Sequence, residues 1–403
     1  MKYIIVLGDG MADEPIAELG GKTPLQYAET PGFDFLAKNG ICGTLNTVPE
    51  GYAPGSEIAN LGILGYDVRK VYEGRGSLEA ASMGVGIADD EVAMRCNIIC
   101  VENGKIKNHS AGHITTEEAS QLIDTLQQEL GSDKVSFNCG VSYRHLLKIK
   151  GGKKEIECTP PHDVPGTEVE KVLPKAMTEE AIPTCNLLKS LMSKSYDILM
   201  KHPVNQHRIA VGKDPANMIW PWSLGYRPSM LTLKELFGVN KGAVISAVDL
   251  IKGIGRYAGL DVIDVDGATG LYDTNYEGKA QAAIDALKSD YDFVFLHVEA
   301  SDEAGHEGDV SLKIKTIEYL DKRVVQPIIN ATKEIDEPVA IALLPDHPTP
   351  CRIKTHTANP VPFAIWHQGI EADTVTTFDE LSAKDGKYGN RDVLELMTLL
   401  LNS

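Results

Sequence analysis

The strongest constraint on the fold is a set of short apolar runs, each of which stops at polar residues. "YIIVLG" stops at Asp9, "AVISAV" at Asp249, "FVFLHV" before Glu299 and Asp302, "VAIALL" before Asp346, and "PFAIW" at His367. A strand with one wet face alternates apolar and polar residues. Unbroken runs instead indicate strands buried on both faces, as in a parallel sheet. Helical periodicity fills the intervals, in "EGKAQAAIDALKS" and "VSLKIKTIEYLDKRVVQPIINATKEI". This alternation predicts an α/β fold.

The middle of the chain has a different pattern. Asn103-Gly104 separates two strand-like runs, which is a hairpin signal. "KVSFNCGVSYRHLLKIKGGKKEIEC" reads as more antiparallel material, and "TEEASQLIDTLQQELG" as a helix. The expected organisation is therefore a discontinuous α/β domain, residues 1–84 and 231–403, with a smaller α+β domain at 85–230 inserted into it.

At 403 residues and a net charge of −18, the chain is a poor partner for nucleic acid or an anionic membrane. No apolar run approaches the ~18 residues of a membrane span. "MKYIIVLGDGMADE" turns acidic too early for a signal peptide. The 7 cysteines contain no CxxC pair, which suggests reduced thiols and a cytoplasmic setting.

In open α/β sheets, ligands bind beyond the carboxyl ends of the strands. Three such ends carry metal-type donors: Asp9, the pair Asp302 and His306, and the pair Asp346 and His347, with His356 farther along the last loop. Asp302 and His306 stand four apart, so a helix would point both the same way. Oxygen and imidazole donors without thiolate suit Zn²⁺ or Mn²⁺ better than Ca²⁺. Read singly, each Asp is a turn or cap residue. Ser56, behind Pro54-Gly55 and before "SEIANLGILG", reads first as a helix N-cap. A cation beside its hydroxyl would make it a nucleophile. "DLIKGIGRYAG" fits GxGxxA, but close helix–sheet packing accounts equally well for its glycines.

Taken together, "LGDGMAD", "APGSEIANLGILGYD", "GRGSLEAASMGVG", "SAGHITTEEA", "VISAVDLIKGIG", "HVEASDEAGHEGD", "LLPDHPTP" and "KTHTANPVPF" cover the chain almost end to end. In these segments the chain resembles the archaeal-type cofactor-independent phosphoglycerate mutases of the alkaline phosphatase superfamily. The resemblance implies an alkaline-phosphatase-like α/β sandwich with a mainly parallel sheet. It also implies two divalent cations, Mn²⁺ or Zn²⁺, and no nucleotide cofactor. Asp302, His306 and His356 would hold one cation; Asp9, Ser56, Asp346 and His347 would hold the other. Ser56 would take the phosphoryl group from 3-phosphoglycerate and return it to the 2-hydroxyl.

The resemblance places a small phosphorylated carboxylate as the substrate and the inserted domain as the element that closes over it. Lys279 and Arg144 are the expected catalytic cations, with His145, Asn217, Arg75 and Arg208 as further substrate contacts. One departure concerns that domain: where relatives have Thr-Asp-Pro-His, this chain reads Thr159-Pro160-Pro161-His162-Asp163. The same ligand set would also serve a homoserine kinase-type phosphotransferase or a metal-dependent phosphatase.

Overall fold

The computed structural model describes residues 1–403, which divide into two compact units: Met1–Tyr72 with Met230–Ser403, and Glu73–Ser229. No helix is long and apolar enough to cross a membrane.

The first unit is built on an 8-stranded sheet. In spatial order its strands are Asp261–Val262, Gly242–Ile245, Phe293–Val298, Lys2–Gly8, Val339–Leu344, Val361–His367, Ile41–Asn46 and Gly389–Asp392. The apolar runs occupy its centre. Ile4, Val6, Leu296, Val298, Ile341 and Leu343 are buried with Phe33, Leu36, Ile317, Leu320 and Ile328 of the covering helices. Each such side chain contributes about 1.5–3 kcal/mol when withdrawn from water.

Pairing is parallel except around one strand, Val361–His367, which runs antiparallel to both neighbours. The unbroken apolar run "PFAIW" had suggested another parallel strand. A parallel return needs a crossover element, and residues 345–360 contain no helix, so the chain returns antiparallel. The run is apolar because the strand is buried, whatever its direction.

The helices begin at residues suited to the purpose. Asn275 caps Tyr276–Lys288 through Gly278 N–H, and Asp309 caps Val310–Leu320 through Leu312 N–H. The long periodic segment after Asp309 is interrupted by a π-helical stretch, Asp321–Val325, before Gln326–Ala331 resumes. Asp321 is buried there and accepts the Phe33 N–H at 2.6 Å.

The second unit is a 5-stranded antiparallel sheet centred on the long strand Glu91–Glu102. That strand turns at Asn103-Gly104, both at positive φ, into Lys105–Asn108, as the hairpin signal predicts. Strands Val135–Asn138, Arg144–Lys150 and Met218–Gly225 complete the sheet. Helix Thr116–Leu130 starts at a capping box between Thr115 and Glu118. It packs with Ile182–Leu199 over a core that includes Ile98, Leu122, Leu188 and Trp220.

This unit starts earlier than residue 85, where the sequence reading put it. Helix Arg75–Ser82 lies on strands Glu91–Glu102 and Met218–Gly225. Gly76 permits the approach, since a Cβ there would come within 2.5 Å of the Ser223 carbonyl oxygen and 2.7 Å of Met94 Cα.

Candidate metal centre

Three neighbouring parallel strands, Phe293–Val298, Lys2–Gly8 and Val339–Leu344, release their loops at the same sheet edge. Asp9 follows one directly. Helix Ala300–Glu307 follows another and carries Asp302 and His306 on one face. Asp346 and His347 follow the third, and His356 lies farther along that loop. A sheet of aligned strands thus gathers donors that are hundreds of residues apart.

One group of donors surrounds Asp302. His306 Nε2 lies 3.1 Å from Asp302 Oδ2, and His356 Nε2 lies 3.4 Å from Asp302 Oδ1. The two imidazole nitrogens are 3.0 Å apart. His356 also stacks on His347, with ring centres 4.0 Å apart. The second group holds Asp9, Asp346 and His347. His347 Nε2 is 3.4 Å from Asp346 Oδ2 and 3.8 Å from Asp9 Oδ1. Ser56 Oγ is 3.2 Å from the same nitrogen.

Ser56 is therefore not a helix cap. Gly55 occupies the cap position and Ser56 is the first helical residue of Ser56–Ile63, with its hydroxyl turned toward His347. That helix also supplies Asn60, whose Nδ2 donates to Asp346 Oδ2 at 3.0 Å. Gly10, in "LGDGMAD", sits at φ +61° and donates its N–H to Asp346 Oδ1 at 3.1 Å. Any side chain there would strike Asp302 Oδ1 at 2.5 Å, so glycine is required for the first loop to pass the site.

Burial and mutual repulsion dominate the electrostatics of these acids. Burial, with Asp346, Asp302 and Glu299 nearby, holds the Asp9 carboxyl well above its ordinary range. Burial and the same acidic surroundings push Glu299 up to about 8. Asp302 is held low: burial opposes its charge, but His306 and His356 outweigh it. His306 rises to about 9 through its bond to Asp302. Asp9 Oδ1 is buried without any hydrogen-bond partner. Clustered buried carboxylates with an unpaired oxygen are costly unless a cation compensates them. The sets Asp302–His347–His356 and Asp9–His297–Asp346 each bring donor atoms within 4.8 Å of one another. Their chemistry, oxygen and imidazole, fits a divalent transition metal.

Lys279 is buried at the same edge, in helix Tyr276–Lys288. Its Nζ donates to the His297 carbonyl oxygen at 3.3 Å, and burial pulls it down to about 8 against the attraction of Glu299. Of the other acids after the strand, Asp309 is a cap, Glu307 is largely solvated, and Glu303 is half-buried with its carboxyl raised by burial.

Among the expected substrate contacts, the second unit separates those that belong together from those that do not. Arg144 and His145 are adjacent in a strand, so they face opposite sides of the sheet. His145 is buried, accepts the Gly140 N–H at 3.1 Å, and is pushed down to about 3 by burial. Asn217 pairs both ways with the Val101 backbone at 2.8 Å. Arg208 is buried in an ion pair with Glu118 and donates to the carbonyls of Ala111, at 2.6 Å, and Asp214, at 2.9 Å. Asn217 and Arg208 are thus paired within the fold, against the contact role expected of them, whereas His145 is buried with its Nε2 unpartnered.

Arg144 instead shares a face with Arg95, which sequence reading passed over inside the apolar run "VAMRCNIIC". Burial lowers the Arg95 pKa; Glu79 opposes that shift, and the charges of Arg75 and Arg144 add to it. The Arg95 guanidinium lies 4.4 Å from the Trp222 ring centre. His162, from the altered Thr159–Asp163 segment, packs on the same indole at 5.4 Å and on His109 at 6.0 Å. Arg95 Nε is also paired with Glu79 Oε1 at 3.1 Å.

The sequence model for "2,3-bisphosphoglycerate-independent phosphoglycerate mutase" matches residues 37–205. The chain is 53% identical over 404 residues to the protein of that name from Methanosarcina acetivorans, covering 100% of each. It is 48% identical over 407 residues to a probable one from Geobacter sulfurreducens, again covering 100% of each. Among solved structures it is similar to a Pyrococcus horikoshii protein, with TM-score 0.84, 32% identity, and 100% and 96% of the two chains covered. It is also similar to a cofactor-independent phosphoglycerate mutase from Thermoplasma acidophilum, with TM-score 0.71, 27% identity, and 100% and 99% covered.

Proposed function

The chain belongs to the 2,3-bisphosphoglycerate-independent phosphoglycerate mutase family and acts as a phosphoglycerate mutase; we propose that it interconverts 3- and 2-phosphoglycerate through a phosphoryl group carried on Ser56. The observation that carries this route is the convergence of two Asp/His donor groups beside one serine hydroxyl. In this reading Asp302, His306 and His356 hold one divalent cation, and Asp9, Ser56, Asp346 and His347 the other. Mn²⁺ and Zn²⁺ both suit these donors. When bound, such cations neutralise phosphoryl charge and favour the serine alkoxide.

The remaining work falls to the protein. Ser56 Oγ forms a bond to phosphorus as the bond from phosphorus to the C3 oxygen breaks. The proton Ser56 gives up matches the one the departing oxygen takes. In the return step the glycerate 2-hydroxyl attacks phosphorus and Ser56 recovers a proton, so the sum is an isomerisation. Ser56 stands at a helix start, where backbone N–H groups favour a phosphate. Lys279 adds a buried positive charge. Arg75, Arg95 and Arg144 are the proposed grip on the anionic substrate. All seven cysteines are free thiols, which supports a cytoplasmic setting.

The test is an enolase-coupled assay with Mn²⁺ or Zn²⁺, together with phosphorus NMR of the products. The expected result is 2-phosphoglycerate without net phosphate release, and its loss in Ser56→Ala. Isomerisation by Ser56→Ala at the wild-type rate would overturn the serine route. Phosphate release alone would overturn the mutase reading. No structural feature favours the kinase or phosphatase alternatives.

A further inference from the structure

His297 is fully buried within the strand run "FVFLHV" and is absent from the ligand sets assigned above. Both nitrogens of this buried imidazole have a partner within reach. Nδ1 lies 3.2 Å from Ser246 Oγ, and Nε2 lies 2.9 Å from Asp9 Oδ2. Ser246 Oγ already accepts the Val248 N–H at 3.0 Å. The hydroxyl has one proton to give, and Nδ1 is its acceptor. When that proton is given to Nδ1, the ring proton resides on Nε2 and is donated to Asp9 Oδ2. This leaves Asp9 Oδ1, the buried oxygen without a hydrogen bond, as the one that faces outward from the relay.

We propose that His297 is a positioning residue and not a ligand: it transmits the fixed orientation of the Val248 N–H through Ser246 to Asp9, so that Asp9 presents Oδ1 to a cation. The inference rests on the cation centre of the proposed function. Distance alone would allow the opposite, since Asp9, His297 and Asp346 bring donor atoms within 4.8 Å of one another. The positioning role takes the tautomer in which Ser246 donates to Nδ1. A protonated Nε2 has no lone pair to offer, and the Nδ1 lone pair is turned to Ser246. The backbone of the same residue accepts from Lys279 Nζ at 3.3 Å, so His297 sets the place of Asp9 and of Lys279 together. Conserving an outer partner of this kind typically matters 10–100-fold in metal affinity.

The experiment titrates the full-length protein with Mn²⁺ and reads free Mn²⁺ by electron paramagnetic resonance. Wild type should bind two ions per chain. His297→Gln, which keeps an N–H near the Nε2 position, should bind both within about threefold of wild type. His297→Leu should still bind two, one of them about 10–100-fold more weakly. Ser246→Ala should weaken the same ion by a smaller factor. In the Zn²⁺-loaded wild type, nitrogen-15 NMR should show the His297 Nε2 proton retained.

Loss of one ion in both His297 variants, or loss of the Nε2 proton on Zn²⁺ loading, would make His297 a ligand and overturn the proposal. Wild-type affinity in His297→Leu would overturn it as well. If His297→Leu does not fold, Ser246→Ala and the NMR measurement decide. A wild type that binds no cation would remove the cation centre itself, and this inference with it. A merely structural histidine would lower the melting temperature in both variants without dividing their Mn²⁺ affinities.

Discussion

The two units concentrate their polar chemistry in different ways. In the first unit, donors sit where strands end. Asp9, Asp302 and Asp346 leave three adjacent parallel strands, and their chain neighbours point into the same space. In the second unit, the arginines project from within an antiparallel sheet and from a helix laid upon it. There Arg95 and Arg144 are sorted from their neighbours by the alternation of a strand, and Cys96 and His145 fall on the other side. A strand end gives a whole loop to the site, whereas a strand interior gives every second residue. The first arrangement tolerates errors in reading the register, and the second does not.

The largest expected effect tests the strand-end site directly. Ser56→Ala should lower turnover about 10⁴-fold or more, because no other hydroxyl stands beside His347 Nε2. Steady-state kinetics in the enolase-coupled assay reads it. Next comes Asp302→Asn, which leaves His306 and His356 without their shared anion. Mn²⁺ affinity should fall by more than about 100-fold, beyond the range of an outer partner. Calorimetric titration would show this, and unchanged affinity would separate Asp302 from the cation.

Smaller effects probe the antiparallel face. Arg144→Ala should raise KM about 10–100-fold, equivalent to one or two charge-assisted hydrogen bonds. By contrast Asn217→Ala should leave KM within about twofold and cost about 1–3 kcal/mol of stability. It unpairs both backbone groups of Val101. If Asn217→Ala raises KM and Arg144→Ala does not, the division of this sheet into binding and structural faces is wrong.

The smallest effect concerns His145. Burial depresses its folded pKa to about 3, below the ordinary 6.5, so the unfolded chain binds the proton first as pH falls. Its contribution to stability is full above about 6.5 and is lost progressively toward 3. The slope is at most about 1.4 kcal/mol per pH unit. Urea unfolding followed by Trp220 and Trp222 fluorescence should show a steeper acid limb in wild type than in His145→Gln. Parallel limbs would remove His145 from the buried side.

Much of the first unit was legible because its signals are local and redundant. An apolar run reports burial, and Asp302 and His306 report a helical face; in the second unit the Asn103-Gly104 pair reports a turn in the same local way. The direction of strand Val361–His367 was not legible, since burial on both faces is independent of direction. His297 was hidden for a related reason: one histidine in a run of aliphatics carries no mark of its partner. Arg95 was masked in the same way. Arg208 and Asn217 are polar residues to which the resemblance gave a binding role, yet their hydrogen bonds return to the backbone of their own unit.

The sequence by itself determined which segments are buried strands, where the loops that leave them begin, and which donor types those loops carry. These follow from hydrophobic patterning and from the chemistry of single side chains. The tertiary structure decided which donors meet, which oxygen of Asp9 is left unpaired, and that Ser56 faces His347 instead of capping its helix. It also decided which of two adjacent residues, Arg144 or His145, is turned into the core. The physical reason is that pairing of distant groups depends on sheet order and register. Those are fixed by the packing of the whole unit, and no local stretch of chain contains them.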